Sequence, residues 1–101
     1  MDRELFVDIT RLDEEAVVFE DWDVFSKGII GVNEDATRVV YGYNKLVNAL
    51  KEDYMQQDES LSEADAELMA VEWMDYNTLR SLPYIEEEHR PIIVYEVEQL
   101  F

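Results

Sequence analysis

The clearest alternation of apolar and polar positions lies between residues 28 and 43. Gly28-Ile29-Ile30-Gly31-Val32 is a short apolar run, Asn33-Glu34-Asp35-Ala36 carries turn chemistry, and Thr37-Arg38-Val39-Val40-Tyr41-Gly42-Tyr43 is β-branched and aromatic. This pattern predicts a β-hairpin with strands over 28–32 and 37–43. Beyond Asn44 the period becomes helical. Leu46, Val47, Leu50 and Tyr54 fall at i, i+1, i+4 and i+8, while Lys45, Asn48, Lys51 and Glu52 fall largely on the opposite side. An amphipathic helix over about 44–53 is expected, with Asn44 as its N-cap, followed by a polar turn from Asp53 to Ser60.

Ser62 followed three residues later by Asp65 has the form of a capping box with a shorter acid. It opens a second helix expected over about 62–80 and stopped by Pro83. The apolar residues of that helix form two groups rather than one stripe. Ala64, Leu68, Val71 and Leu79 share one side; Met69, Trp73 and Tyr76 share another. Either both groups are packed, or one face enters the core and the aromatic face is left for a partner or a second copy of the chain. Arg90-Pro91-Ile92-Ile93-Val94-Tyr95-Glu96-Val97 reads as a closing strand with Pro91 at its first position. Residues 1–27 are less periodic: a strand or frayed helix is expected near 4–11 and a strand near 16–20. The fold class is therefore α+β, a small antiparallel or mixed sheet packed against two helices. A single domain spans 1–101, with 1–27 as an acidic N-terminal extension.

Charge changes this picture. The 101 residues carry 25 Asp and Glu against 8 Lys and Arg, a formal charge of −17. Direct binding of nucleic-acid phosphates is excluded on that ground, and attachment to an anionic membrane is disfavoured. No apolar run spans a bilayer. Met1-Asp2-Arg3-Glu4 shows no basic region ahead of an apolar core, which leads to an expected cytoplasmic location. The 48% apolar fraction is too high for a disordered acidic tail. So large a charge costs stability by self-repulsion. It serves solubility or a high-salt cytoplasm, in keeping with only three lysines, or else it forms a surface built for a cationic partner.

The candidate chemistry is sparse. With no cysteine there are no thiolate nucleophiles or thiolate-held metals. His89, in Glu86-Glu87-Glu88-His89-Arg90, has no visible nucleophile beside it. Asp53 to Glu63 lacks the spacing and turn glycine of a calcium loop. No catalytic residue, metal or cofactor is expected, and the chain reads as a non-enzyme. Acids remain. Between Glu52 and Asp75 there are nine and no Lys or Arg. Four helical residues advance about 6 Å, similar to the separation of phosphates along a DNA strand. Glu63 with Glu67, and Asp65 with Glu72 and Asp75, are thus candidates for a phosphate-like array. A second acidic district, Asp13, Glu14, Glu15, Glu20, Asp21 and Asp23, alternates with aromatics. The expected partner is a basic nucleic-acid-binding protein.

Ile29-Ile30-Gly31-Val32, Arg38-Val39-Val40-Tyr41-Gly42-Tyr43, Trp73-Met74-Asp75-Tyr76-Asn77-Thr78-Leu79-Arg80-Ser81-Leu82-Pro83-Tyr84 and Pro91-Ile92-Ile93-Val94-Tyr95 together resemble a group of small acidic proteins encoded by phages and prophages. The resemblance covers roughly residues 28–95 and departs at the acidic N-terminus. It implies a small α+β domain in the cytoplasm of an infected bacterial or archaeal host. It also implies an inhibitor of host nucleic-acid machinery, in its sharpest form an anti-CRISPR protein that mimics DNA or RNA and targets a CRISPR effector. No catalytic residue is implied.

Overall fold

In the computed structural model, which describes residues 2–97, the order of elements is α1 (Arg3–Thr10), α2 (Trp22–Phe25), β1 (Ile29–Val32), β2 (Val39–Gly42), α3 (Tyr43–Gln57), α4 (Glu63–Trp73) and β3 (Ile92–Val94). Residue 1 and residues 98–101 of the expected domain lie outside the described range. The fold is α+β, and its sheet is mixed. β1 pairs antiparallel with β2, β2 pairs parallel with β3, and the order is β1-β2-β3. The parallel pair requires a crossover, which α3 and α4 supply.

The hairpin forms where its pattern places it. Asn33 closes the turn: its Oδ1 accepts from the amides of Thr37 and Arg38, both at 2.9 Å. The strands are shorter than expected because Gly28 closes a 3-10 turn, Thr37 and Arg38 belong to the hairpin turn, and Tyr43 already belongs to α3. That helix begins without a local cap. Gly42 stands at the N-cap and offers no side chain, so the expected Asn44 cap is corrected. The free amides of Asn44 and Lys45 donate instead to the Glu96 carboxylate, at 2.9 and 3.2 Å. The carboxylate sits so close that a Cβ on Gly42 would meet Glu96 Cδ at 2.7 Å. An anion there also meets the positive end of the helix dipole. α3 further runs through Gln57, taking in the stretch from Asp53 expected as turn; the turn itself begins at Asp58.

α3 buries Leu46, Val47, Ala49 and Leu50, the stripe its periodicity announces. α4 behaves differently. Its buried line is Ala66, Ala70 and Met74, continued by Thr78. Neither apolar group read from the sequence is that line. Ala64, Leu68, Met69 and Tyr76 are exposed, and Val71, Trp73 and Leu79 are half-buried. Residues Met74–Leu79 continue the helix in π form. The wider i→i+5 turn advances each residue by less than an α-turn does. Thr78 stays on the line of Ala66, Ala70 and Met74, each four residues from the last.

Residues 2–27 contribute to the same core. Phe6, Leu12 and Phe25 are buried with Val39, Tyr41, Leu46, Val47, Leu50, Ala70 and Met74. α1 resolves the open reading of 4–11 as helix, capped by Asp2. The strand expected near 16–20 does not form: the segment lacks a neighbouring strand, and its side chains are spent on packing. Phe19 stacks on Tyr41 at 4.6 Å and meets Phe25 edge-on at 5.9 Å, and Phe25 lies 5.3 Å from Trp73. The Phe19 amide donates to the Tyr41 hydroxyl at 3.1 Å, and burial pushes that phenol up to about 12.

Candidate functional site

All the candidate acids are exposed, so folding leaves every one available to solvent. It does not gather them into one array. In α4 and the π-segment that continues it they fall into three environments. Ser62 accepts from the Asp65 amide at 3.2 Å and starts the helix. Asp65 and Glu72, seven residues apart, then share an outward line with no cation within ion-pair distance among the described residues. Glu63 faces α3, where Lys51 Nζ lies 2.9 Å from its carboxylate. That bond holds the Glu63 carboxyl below its ordinary range and raises the Lys51 ammonium, to which Glu67 also contributes. Lys51 keeps its stem covered, with 16% of the side chain exposed, while the ammonium reaches the surface. Asp75 stands in the π-segment, close enough to Tyr43 that its charge, second to burial, raises that phenol. The pairing of Glu63 with Glu67 and of Asp65 with Glu72 and Asp75 as two phosphate-like rows is therefore only partly realised.

Between and beside the outward acids stand exposed apolar side chains: Leu68 at 59%, Met69 at 42% and Tyr76 at 65% exposure. Arg80 covers one face of the Tyr76 ring, 4.6 Å from its centroid. Apart from Lys51, which meets Glu63, the lysines keep to another part of the surface. Lys27 and Lys45 line one shallow hollow with Asn48, Ala49 and Glu52, and Lys51 follows on α3.

The second acidic district is divided as well. Glu20 is exposed, Asp21 stands at the start of α2 with Asp23 in its first turn, and Glu14 lies in an open turn. Asp13 and Glu15 instead converge on His89. The His89 Nε2 is 3.9 Å from Asp13 Oδ2 and 3.6 Å from Glu15 Oε2, and its Nδ1 is 3.9 Å from Glu86 Oε2. Only 12% of the His89 side chain is exposed. The strands of chain meet through Val17, whose amide donates to the His89 carbonyl at 3.0 Å. Sequence reasoning set His89 aside because no nucleophile stands beside it in the chain. The only signal that could have linked it to Asp13 and Glu15 was shared ligand chemistry, since nothing local relates the two segments.

No family model, curated protein or solved structure matches this chain. Among the described residues, no helix is long and apolar enough to cross a membrane.

Proposed function

We propose that this chain is a non-catalytic, acidic binding protein that occupies a cationic, nucleic-acid-binding surface of another protein. The sharpest form is the one the phage-protein resemblance implies, an inhibitor of host nucleic-acid machinery of the anti-CRISPR type. The observation that carries the reading is the outward side of α4. Asp65 and Glu72 lie there with no ion-pair partner among the described residues, beside exposed Leu68, Met69 and Tyr76, while Lys27 and Lys45 line a hollow elsewhere. Carboxylates on a helix steer a basic partner to the surface, and the apolar side chains give it something to bury once there.

The test is capture from host lysate on the immobilised chain, with elution by salt and, separately, by duplex DNA or RNA. Nucleic-acid-binding proteins released by both are expected. Proteins held equally well at low and high salt, and not displaced by nucleic acid, would overturn the reading.

A second reading has an observation of its own. Every Asp and Glu among the described residues is exposed except the half-buried Asp53 and Glu96, and they occur from α1 to the 86–88 turn. Acidity spread this way serves solubility in a structural or adaptor protein. Substituting Asp65→Asn, Glu72→Gln and Asp75→Asn together separates the two when set against a matched Glu86→Gln, Glu87→Gln, Glu88→Gln triple. A specific surface loses capture with the first triple alone; bulk charge loses it equally with both.

A further inference from the structure

We propose that Asp13, Glu15 and His89 form a binding site for a divalent first-row transition cation, with zinc(II) as its probe. One oxygen from each carboxylate and the His89 Nε2 all lie within 4.8 Å of one another. Ligands around a tetrahedral zinc at bond lengths of about 2.0–2.2 Å stand about 3.3–3.5 Å apart. The two nitrogen-to-oxygen separations, 3.6 and 3.9 Å, are already close to that. Glu15, with 79% of its side chain exposed, is free to supply the remaining movement.

The surroundings orient these ligands. The Glu15 amide donates to Asp13 Oδ1 at 2.8 Å, which leaves Oδ2 turned to the imidazole. The Asp13 amide is itself tied to the Ala36 carbonyl at 2.7 Å. The turn carrying His89 is braced by its own amide bond to Glu86 and by the Arg90 guanidinium, which donates twice to the Ile85 carbonyl at 3.2 and 3.0 Å. The other imidazole nitrogen faces Glu86, the carboxylate–histidine arrangement that accompanies metal-bound histidines. Arg38 lines the neighbouring hollow, with its Nε engaged by the Arg90 carbonyl at 2.6 Å. No Lys or Arg among the described residues pairs with Asp13, Glu15 or Glu86.

A nitrogen with two carboxylate oxygens selects the cation. Imidazole favours zinc, nickel, cobalt and iron over calcium and magnesium, which prefer oxygen alone. Two ionised carboxylates and a neutral imidazole leave a bound dication with no net charge, and waters complete its shell. Bound there, it ties the irregular 11–20 segment to the turn before β3, and it cancels two charges of the N-terminal acidic district.

The test uses the tag-free full chain, whose one histidine gives a single imidazole signal set. Zinc(II) is titrated at neutral pH, by calorimetry and by imidazole NMR, alongside His89→Ala and Glu15→Gln. Expected are a 1:1 saturable isotherm, displacement of the imidazole resonances, a rise in melting temperature, and about tenfold or greater weakening in each variant. Glu15→Gln changes an exposed side chain and keeps the test decisive if His89→Ala unfolds. Unmoved imidazole resonances at saturation, wild-type affinity in a folded variant, or equal binding of magnesium(II) would each overturn the proposal.

Discussion

α3 and α4 lie side by side, and they are built on opposite principles. α3 concentrates its apolar residues on one stripe, buries them, and keeps Lys45 and Asn48 on its exposed side. α4 distributes apolar residues around its circumference and buries mainly its smallest ones, Ala66 and Ala70. The narrow alanine line lets the two helices approach closely, and it releases Leu68, Met69 and Tyr76 to the surface among acids. A helix optimised only for stability would place leucine on the inside and alanine outside. α4 does the reverse, which is why its outer side, rather than the acidic composition alone, carries the functional reading.

Identical substitutions in the two helices test this most directly. Leu46→Ala, at a fully buried site, should cost about 2–5 kcal/mol in denaturant unfolding, as cavity-forming substitutions do. Leu68→Ala should stay within about 0.5 kcal/mol, as surface changes do. Comparable losses at both sites would mean that α4 is covered on its outer side in solution.

Overpacking should separate the faces of α4 next. Ala70→Leu must force α3 and α4 apart and should cost about 1–3 kcal/mol, while Ala64→Leu should leave the melting temperature in place. The caps come third. α4 is capped by its own Ser62 and α3 by the distant Glu96. Ser62→Ala and Glu96→Ala should each cost about 1 kcal/mol. A much larger loss from Glu96→Ala would show that the carboxylate also holds β3 in place.

Charge effects are smaller still. At −17, added salt should raise the melting temperature from low ionic strength upward. A transition indifferent to salt would show the acids to be well separated. Glu63 differs in sign from its outward neighbours. Its carboxyl sits below the ordinary range because of Lys51, so the pair's stabilisation is present above the unfolded-state pKa and is lost as pH falls through the folded one. Acidification thus weakens the α3–α4 seam at Glu63 while it relieves repulsion elsewhere. Glu63→Gln should flatten the fall in melting temperature below about pH 4.5, near the free carboxyl value; an unchanged acid limb would remove Glu63 as a contributor.

Local periodicity carried the hairpin, α3, the start of α4 and the closing strand into view, because each depends on neighbours within a few residues. The failures are non-local. Asn44 is a sound cap residue by type, but Glu96 reaches the free amides first. The buried side of α4 escaped notice because alanine contributes little hydrophobic contrast and because Thr78, which continues it, is polar. Ala16-Val17-Val18-Phe19 has strand propensity and finds no strand to join. The acids of the candidate surface were legible as exposed; their division by Lys51, Tyr43 and His89 was not, since each divider comes from another part of the chain.

The Glu96 cap has a consequence for synthesis. A ribosome releases α3 well before residue 96, so the nascent helix emerges with its first amides bare beside a glycine. Its N-terminal turn gains its acceptor only when the last segment of the described chain has cleared the exit tunnel and β3 has docked on β2. A chain arrested before that point would hold a hairpin and two helices with the first turn of α3 left to fray.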